Sequence, residues 1–260
     1  MATVLSVPNN LPFAERLARN ARAVTLASII ILAACAWIWT WSGGGMREPD
    51  AMAGMASPLA LEIPGLLLMW WLMMAAMMLP SAAPAILLYG RVRQQRGGTG
   101  TIAPSWVFLS GYLLAWLMVS EHATVLQLLA TKFGMLHPVT MQATSKSLAG
   151  ATLIAVGAYQ WSPVKDACLT HCRSPAAFLA RQWLPGLGGA LRLGLKHGLY
   201  CAGCCWLLMA LMFVGGVMNF VWLAALAALV AAEKLAPGGK FTSRTAGAIL
   251  VLWGLVEVAA

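Results

Sequence analysis

Long apolar runs with few charges in them limit this chain to one kind of fold. Ala23 to Trp41, Trp106 to about Ala130 and Phe220 to Ala236 are three of them. Runs of roughly 20 apolar residues match the hydrocarbon thickness of a bilayer. Inside it, only helices and closed barrels satisfy every backbone polar group. Over the whole chain 60% of residues are apolar and 10% charged, whereas a soluble domain carries about 25% charged residues. A water-soluble fold would expose that surplus as large apolar patches. The predicted fold class is all-α: a polytopic transmembrane helix bundle of about seven helices.

The seven expected spans cover 23–41, 61–89, 106–130, 148–161, 198–217, 220–236 and 246–258. The second contains Pro80 and Pro84, which should kink it. The fourth reaches span length only with its flanks. Small residues (Gly194, Gly198, Ala202, Gly215, Gly216 and Gly254) allow close helix approach. No internal repeat supports an inverted-repeat transporter. Residues 1–22 form a basic cytoplasmic segment and 23–260 one helical membrane domain, with no room for a sizeable soluble one.

The net charge of +9 would suggest nucleic acid in a soluble protein. Here Lys and Arg are topology signals, and no nucleic-acid partner is expected. With the N-terminus inside, the inner segments hold fourteen basic residues: Arg16, Arg19, Arg22, Arg91, Arg93, Arg96, Lys165, Arg173, Arg181, Arg192, Lys196, Lys234, Lys240 and Arg244. The outer segments hold three: Arg47, Lys132 and Lys146. The bias puts the N-terminus in the cytoplasm and the C-terminus outside. One alternative touches the first span, where Leu32-Ala33-Ala34-Cys35 has the form of a lipoprotein cleavage site. The apolar run continues through Trp37, Ile38 and Trp39, as an ordinary first helix would.

Five of the six cysteines lie in two short segments. One runs from Asp166 to Cys172, the other from His197 to Cys205. On helices, Cys168, His171 and Cys172 share a face, and so do His197, Cys201, Cys204 and Cys205. Both segments fall at the cytoplasmic end of adjacent spans in the expected topology. Thiols stay reduced there, which disfavours a structural disulfide. Thiolates with imidazoles suit Cu(I), zinc or an iron–sulfur cluster. Arg173 and Lys196 would favour the thiolate form. Helix-packing cysteines are the alternative, and the spacing is not a paired CxxC zinc pattern.

Methionine points the same way. Met46, Met52 and Met55 lie in the first outer loop. Met69, Met73 and Met77 form one helical stripe in the second span, beside Met74 and Met78. Met209 and Met212 continue the face of Cys201 and Cys205. Thioethers bind Cu(I) well, although methionine also fills apolar gaps. Among ionisable groups, Glu121 and His122 fall in the outer half of the third span, where they could bind a cation or relay protons. The headgroup boundary is the alternative for them. Glu233 and Lys234, at the inner end of the sixth span, are expected to form an interface anchor. There is no nucleotide loop, nucleophile elbow or HExxH motif.

Three segments together resemble a known family. The first is Met69-Trp70-Trp71-Leu72-Met73-Met74-Ala75-Ala76-Met77-Met78-Leu79-Pro80. The second runs from Tyr159-Gln160-Trp161-Ser162-Pro163 through Lys165 and Cys168 to His171-Cys172-Arg173-Ser174-Pro175. The third is Gly198-Leu199-Tyr200-Cys201-Ala202-Gly203-Cys204-Cys205-Trp206, then Met209, Gly215-Gly216-Val217-Met218-Asn219 and Glu233-Lys234. They resemble a bacterial domain-of-unknown-function family labelled predicted metal-binding integral membrane proteins, over roughly Met69 to Lys234. The resemblance implies metal binding in a bacterial inner membrane, and names no metal or reaction.

Three functions follow from the residues. One is a protein that transports or delivers a soft transition metal, copper favoured over zinc because of the methionines. Its partners would be the bilayer, the ion, and a metallochaperone or membrane complex. The second is a membrane-embedded metalloenzyme or redox protein using Glu121, His122, His197 and the thiols. The third is a non-catalytic subunit of a larger membrane assembly.

Overall fold

The computed structural model describes residues 20–42, 59–98, 100, 102–137 and 140–260. Arg16, Arg19, Met46, Arg47, Met52 and Met55 lie outside the described residues. Apart from an isolated antiparallel bridge between Leu136 and Ala143, the regular structure of the described residues is helical: α1 (Ala21–Trp41), α2 (Leu59–Gln95), α3 (Ile102–Lys132), α4 (Lys146–Tyr159), α5 (Pro163–Arg173), α6 (Pro175–Gln182), α7 (Gly186–Met209), α8 (Met212–Gly215), α9 (Phe220–Leu235) and α10 (Gly239–Ala259). Among the described residues, five stretches are long and apolar enough to cross a membrane: Ala21–Trp41, Ile63–Gln95, Ile102–Lys132, Gly186–Gly215 and Gly239–Ala259. The other two expected spans are shorter. α4 has 14 residues and α9 has 16, about 21 and 24 Å at 1.5 Å per residue.

Glycines set the tightest helix contacts. α3 and α7 pack side by side and parallel. Gly194 faces the backbone of Phe108, Gly111 faces that of Leu191, and Gly198 meets Tyr112 and Ala115. α4 and α10 pack antiparallel through Gly150 against Gly254 and Gly157 against Gly247. A methyl group at Gly150 would come within 2.7 Å of the Gly254 carbonyl oxygen. The seven-residue spacing on each helix keeps both glycines on the shared seam. α1 and α3 flank α2, and α9 lies on it too. Trp37 and Trp41 of α1 meet Phe220 edge-on, with centroids 5.1 and 4.7 Å away.

Local chemistry starts the shorter helices. Ser145 caps α4 by accepting from the Leu148 amide at 3.2 Å. Ser162 caps α5 in the same way, accepting from the Lys165 amide at 3.1 Å, with Pro163 in the first turn. Asn219 caps α9 from Trp222. These are side-chain oxygens satisfying orphan donors of a first turn, and proline costs nothing at that position.

The fifth span corrects an expectation. Its helix begins at Gly186, not near Gly198. Arg192 and Lys196 suggested a boundary there, yet both are exposed on the outward face of a continuous helix. The glycines on the opposite face are buried against α3. Cys201 therefore stands fifteen residues beyond the start of its helix, about 22 Å along the axis.

Candidate metal centre

α7 carries the centre. His197, Cys201, Cys204 and Cys205 are all buried on one side of it. The thiols of Cys204 and Cys205 both donate to the carbonyl oxygen of Cys201, at 3.0 Å each. Their sulfur atoms then diverge. Cys205 Sγ lies 3.8 Å from Met78 Sδ on α2. Cys204 Sγ lies 4.0 Å from Cys172 Sγ on α5. Cys168, one turn before Cys172, rests on Gly203, where an added methyl would come within 2.7 Å of its Sγ. All five thiols are free. Cys201, Cys204 and Cys205 are buried, while Cys168 and Cys172 are half-buried, so the group has a partly open side along α5.

A lysine enters the thiols from α9. Lys234 Nζ donates to Cys201 Sγ at 2.9 Å and lies 3.9 Å from Cys205 Sγ, 3.7 Å from Met78 Sδ and 3.4 Å from Ser81 Oγ. The Tyr112 hydroxyl closes the group, 3.1 Å from Cys201 Sγ and 3.3 Å from the Met78 carbonyl oxygen. Ser81 donates to that same carbonyl at 2.9 Å. The expected interface anchor of Glu233 with Lys234 is thus not what forms. Both side chains are buried and point apart, because consecutive helical residues do not share a face.

Glu233 instead accepts from Lys165 of α5 at 2.7 Å. Lys165 is 0% exposed and also bonds Gln160, which receives the Ser243 hydroxyl of α10 at 3.0 Å. Arg173 donates to the carbonyls of Glu233 and Pro237, at 2.6 and 2.9 Å. It thereby caps the end of α9. Neither Arg173 nor exposed Lys196 supplies the charge expected beside the thiols; Lys234 does. The buried pair and the cap hold α5 against α9, and this keeps Cys172 over Cys204.

The other candidate ligands fall in several places. Met69, Met73, Met77, Met209 and Met212 are buried in the cluster that contains the thiols. Their neighbour Met78 places its thioether 3.8 Å from Cys205 Sγ. Farther along α2, Trp70 donates to Gln127 at 2.6 Å, and Gln127 donates to Met141 Sδ at 3.0 Å. His197 is buried among the rings of Phe108, Tyr112 and Phe178, and its Nδ1 has no hydrogen-bond partner. His171 stacks on Tyr200 at 4.1 Å, with its Nδ1 2.9 Å from the Ala167 carbonyl. Glu121 and His122 are exposed and line a shallow apolar groove of about 390 Å³ with Val125, Leu126 and Leu129. Cys35 is exposed on α1. Among the described residues, no three His, Cys, Asp or Glu side chains stand close enough to hold a metal ion as they are.

Sequence reasoning missed Met78, Ser81, Tyr112 and Lys234 as members of the centre. Lys234 carried a usable signal, since an ionisable residue inside a span marks a site more often than an anchor. Fold and site together define a class: a helical membrane protein whose buried centre is built from thiols, one thioether and one ammonium. A family model described as a copper chaperone, PpoB2, matches residues 67–257, and the chain belongs to that family. The match extends beyond the Met69-to-Lys234 resemblance at both ends and replaces its unknown function with a copper-related one. No curated protein and no solved structure matches the chain.

Proposed function

We propose that this protein binds Cu(I) within the membrane and passes it on, so that copper is its cargo. The observation that carries this is the convergence of Cys201, Cys205 and Met78, with Cys204 and Cys172 one step outward. Thiolate and thioether are the ligands that select Cu(I), and this set has few of the nitrogen or oxygen donors that complete many zinc sites. Half-buried Cys168 and Cys172 would receive or release the ion on the cytoplasmic side. Cys204 would relay it to Cys201, Cys205 and Met78. Met69, Met73, Met77, Met209 and Met212 supply further soft atoms beyond, and His197 a neutral donor one turn below Cys201. His171 and the Glu121–His122 pair are left out of this ligand set, since they stand on Tyr200 and on the outer face of α3.

The same proposal takes the chain as a bacterial inner-membrane protein with seven crossings, N-terminus inside and C-terminus outside. α4 and α9 would be short crossings. The distribution of basic residues supports this. So do the helix directions: the third and fifth spans run parallel, and the fourth and seventh antiparallel, as alternation requires. A metallochaperone or an acceptor membrane complex would meet it at the thiols of α5.

Metal analysis of the detergent-purified protein tests the copper reading. The wild type should carry copper after growth in copper, and a Cys201/Cys204/Cys205→Ser variant should lose most of it. Equal copper in both would overturn the proposal.

A further inference from the structure

We propose that Lys234 is a specificity-determining residue that makes the thiol site accept singly charged soft cations and reject doubly charged ones. The inference rests on the copper reading for its ligands and adds the charge of the ion they take. Lys234 Nζ stands among Cys201 Sγ, Cys205 Sγ and Met78 Sδ at 2.9, 3.9 and 3.7 Å. A cation shared by these sulfur atoms would occupy the same neighbourhood. Lys165, Glu233 and Lys234 are the buried Lys and Glu side chains among the described residues. The first two neutralise each other at 2.7 Å, so the thiols must balance Lys234.

The charge count then separates the ions. Metal binding takes thiols as thiolates and releases their protons to water. Two thiolates, one ammonium and one Cu(I) sum to zero. The same site with Zn(II) carries one positive charge in excess. An uncompensated charge in a buried, lipid-surrounded site is strongly unfavourable. Met78 is neutral and leaves the count unchanged. The ammonium also has somewhere to go when the ion arrives, because Ser81 Oγ lies 3.4 Å away on the side of α2.

The test uses the full-length protein in detergent, under a non-thiol reductant and without oxygen. Ag(I), a redox-inert stand-in for Cu(I), competes with Zn(II), and both are measured by elemental analysis. Wild type should take Ag(I) over Zn(II). Lys234→Leu removes the charge without adding a ligand, and should lower the Ag-to-Zn ratio at least about tenfold. Lys234→Arg should keep the wild-type ratio. An unchanged ratio in Lys234→Leu, or an equal fall in Lys234→Arg, would overturn the inference. If Lys234→Leu is not monodisperse, Lys234→Gln, which can still donate to Ser81, is read by the same outcomes. A Cys201→Ser/Cys205→Ser variant separates the two proposals. If it keeps Ag(I), the copper reading of these sulfurs fails. If it loses Ag(I) while Lys234→Leu keeps the ratio, the charge inference alone fails.

Discussion

Met78 places its thioether 3.8 Å from the Cys205 thiol, and four other methionines share its stretch of α2. Met78→Leu conserves volume and should cost less than about 1.5 kcal/mol of stability. It should weaken Cu(I) binding by at least the roughly tenfold that loss of even an outer-shell partner costs. Competition with a chromogenic Cu(I) chelator measures this, and an unchanged affinity would remove Met78 from the ligand set. The cysteine face of α7 was legible in the sequence because offsets of four, seven and eight residues return to one side of a helix. His171 shows the limit of such counting: it shares a turn with Cys172, but an aromatic partner, Tyr200, holds its ring. Lys234 was legible as an ionisable residue inside a span, but its partners were not, because they lie 33 residues away at Cys201 and 153 away at Ser81. Only tertiary packing brings these together.

At the scale of elements, the short amphipathic helix α5 decides whether the outer thiols meet the inner ones. It is held by Lys165 on Glu233 and by Arg173 on the end of α9. Glu233→Gln leaves the Lys165 ammonium buried without its counter-charge, which should cost about 3–5 kcal/mol. A Lys165→Met/Glu233→Leu double variant should recover most of that loss. Thermal unfolding in detergent compares the two, and a single variant as stable as wild type would show that the pair does not hold α5. The helices themselves were mostly visible as apolar runs. The start of α7 was not, because Arg192 and Lys196 were counted with the inner segments, whereas they lie exposed on a continuous helix that packs on α3 through Gly194 and Gly198. The second span also runs as one helix, Leu59–Gln95, through Pro64, Pro80 and Pro84.

For the whole molecule, orientation determines which compartment sees the half-buried thiols. A reporter active only outside the cytoplasm should work when fused after Ala260 and stay silent when inserted at Gly97, in the connection between α2 and α3. The opposite pattern would reverse the proposed direction of the centre. The class of fold was legible from the long apolar runs, whereas the meeting of α2, α5, α7 and α9 at the centre depended on how the helices pack. The placement of Glu233 and Lys234 after all five cysteines of the centre also has a consequence for biosynthesis. Cys168, Cys172, Cys201, Cys204 and Cys205 are all synthesised before α9. Until then Lys165 has no carboxylate and the thiols have no ammonium, so under the proposal above the nascent cysteines lack the charge that disfavours doubly charged ions. Discrimination between ions is thereby expected to begin only once α9 is in place.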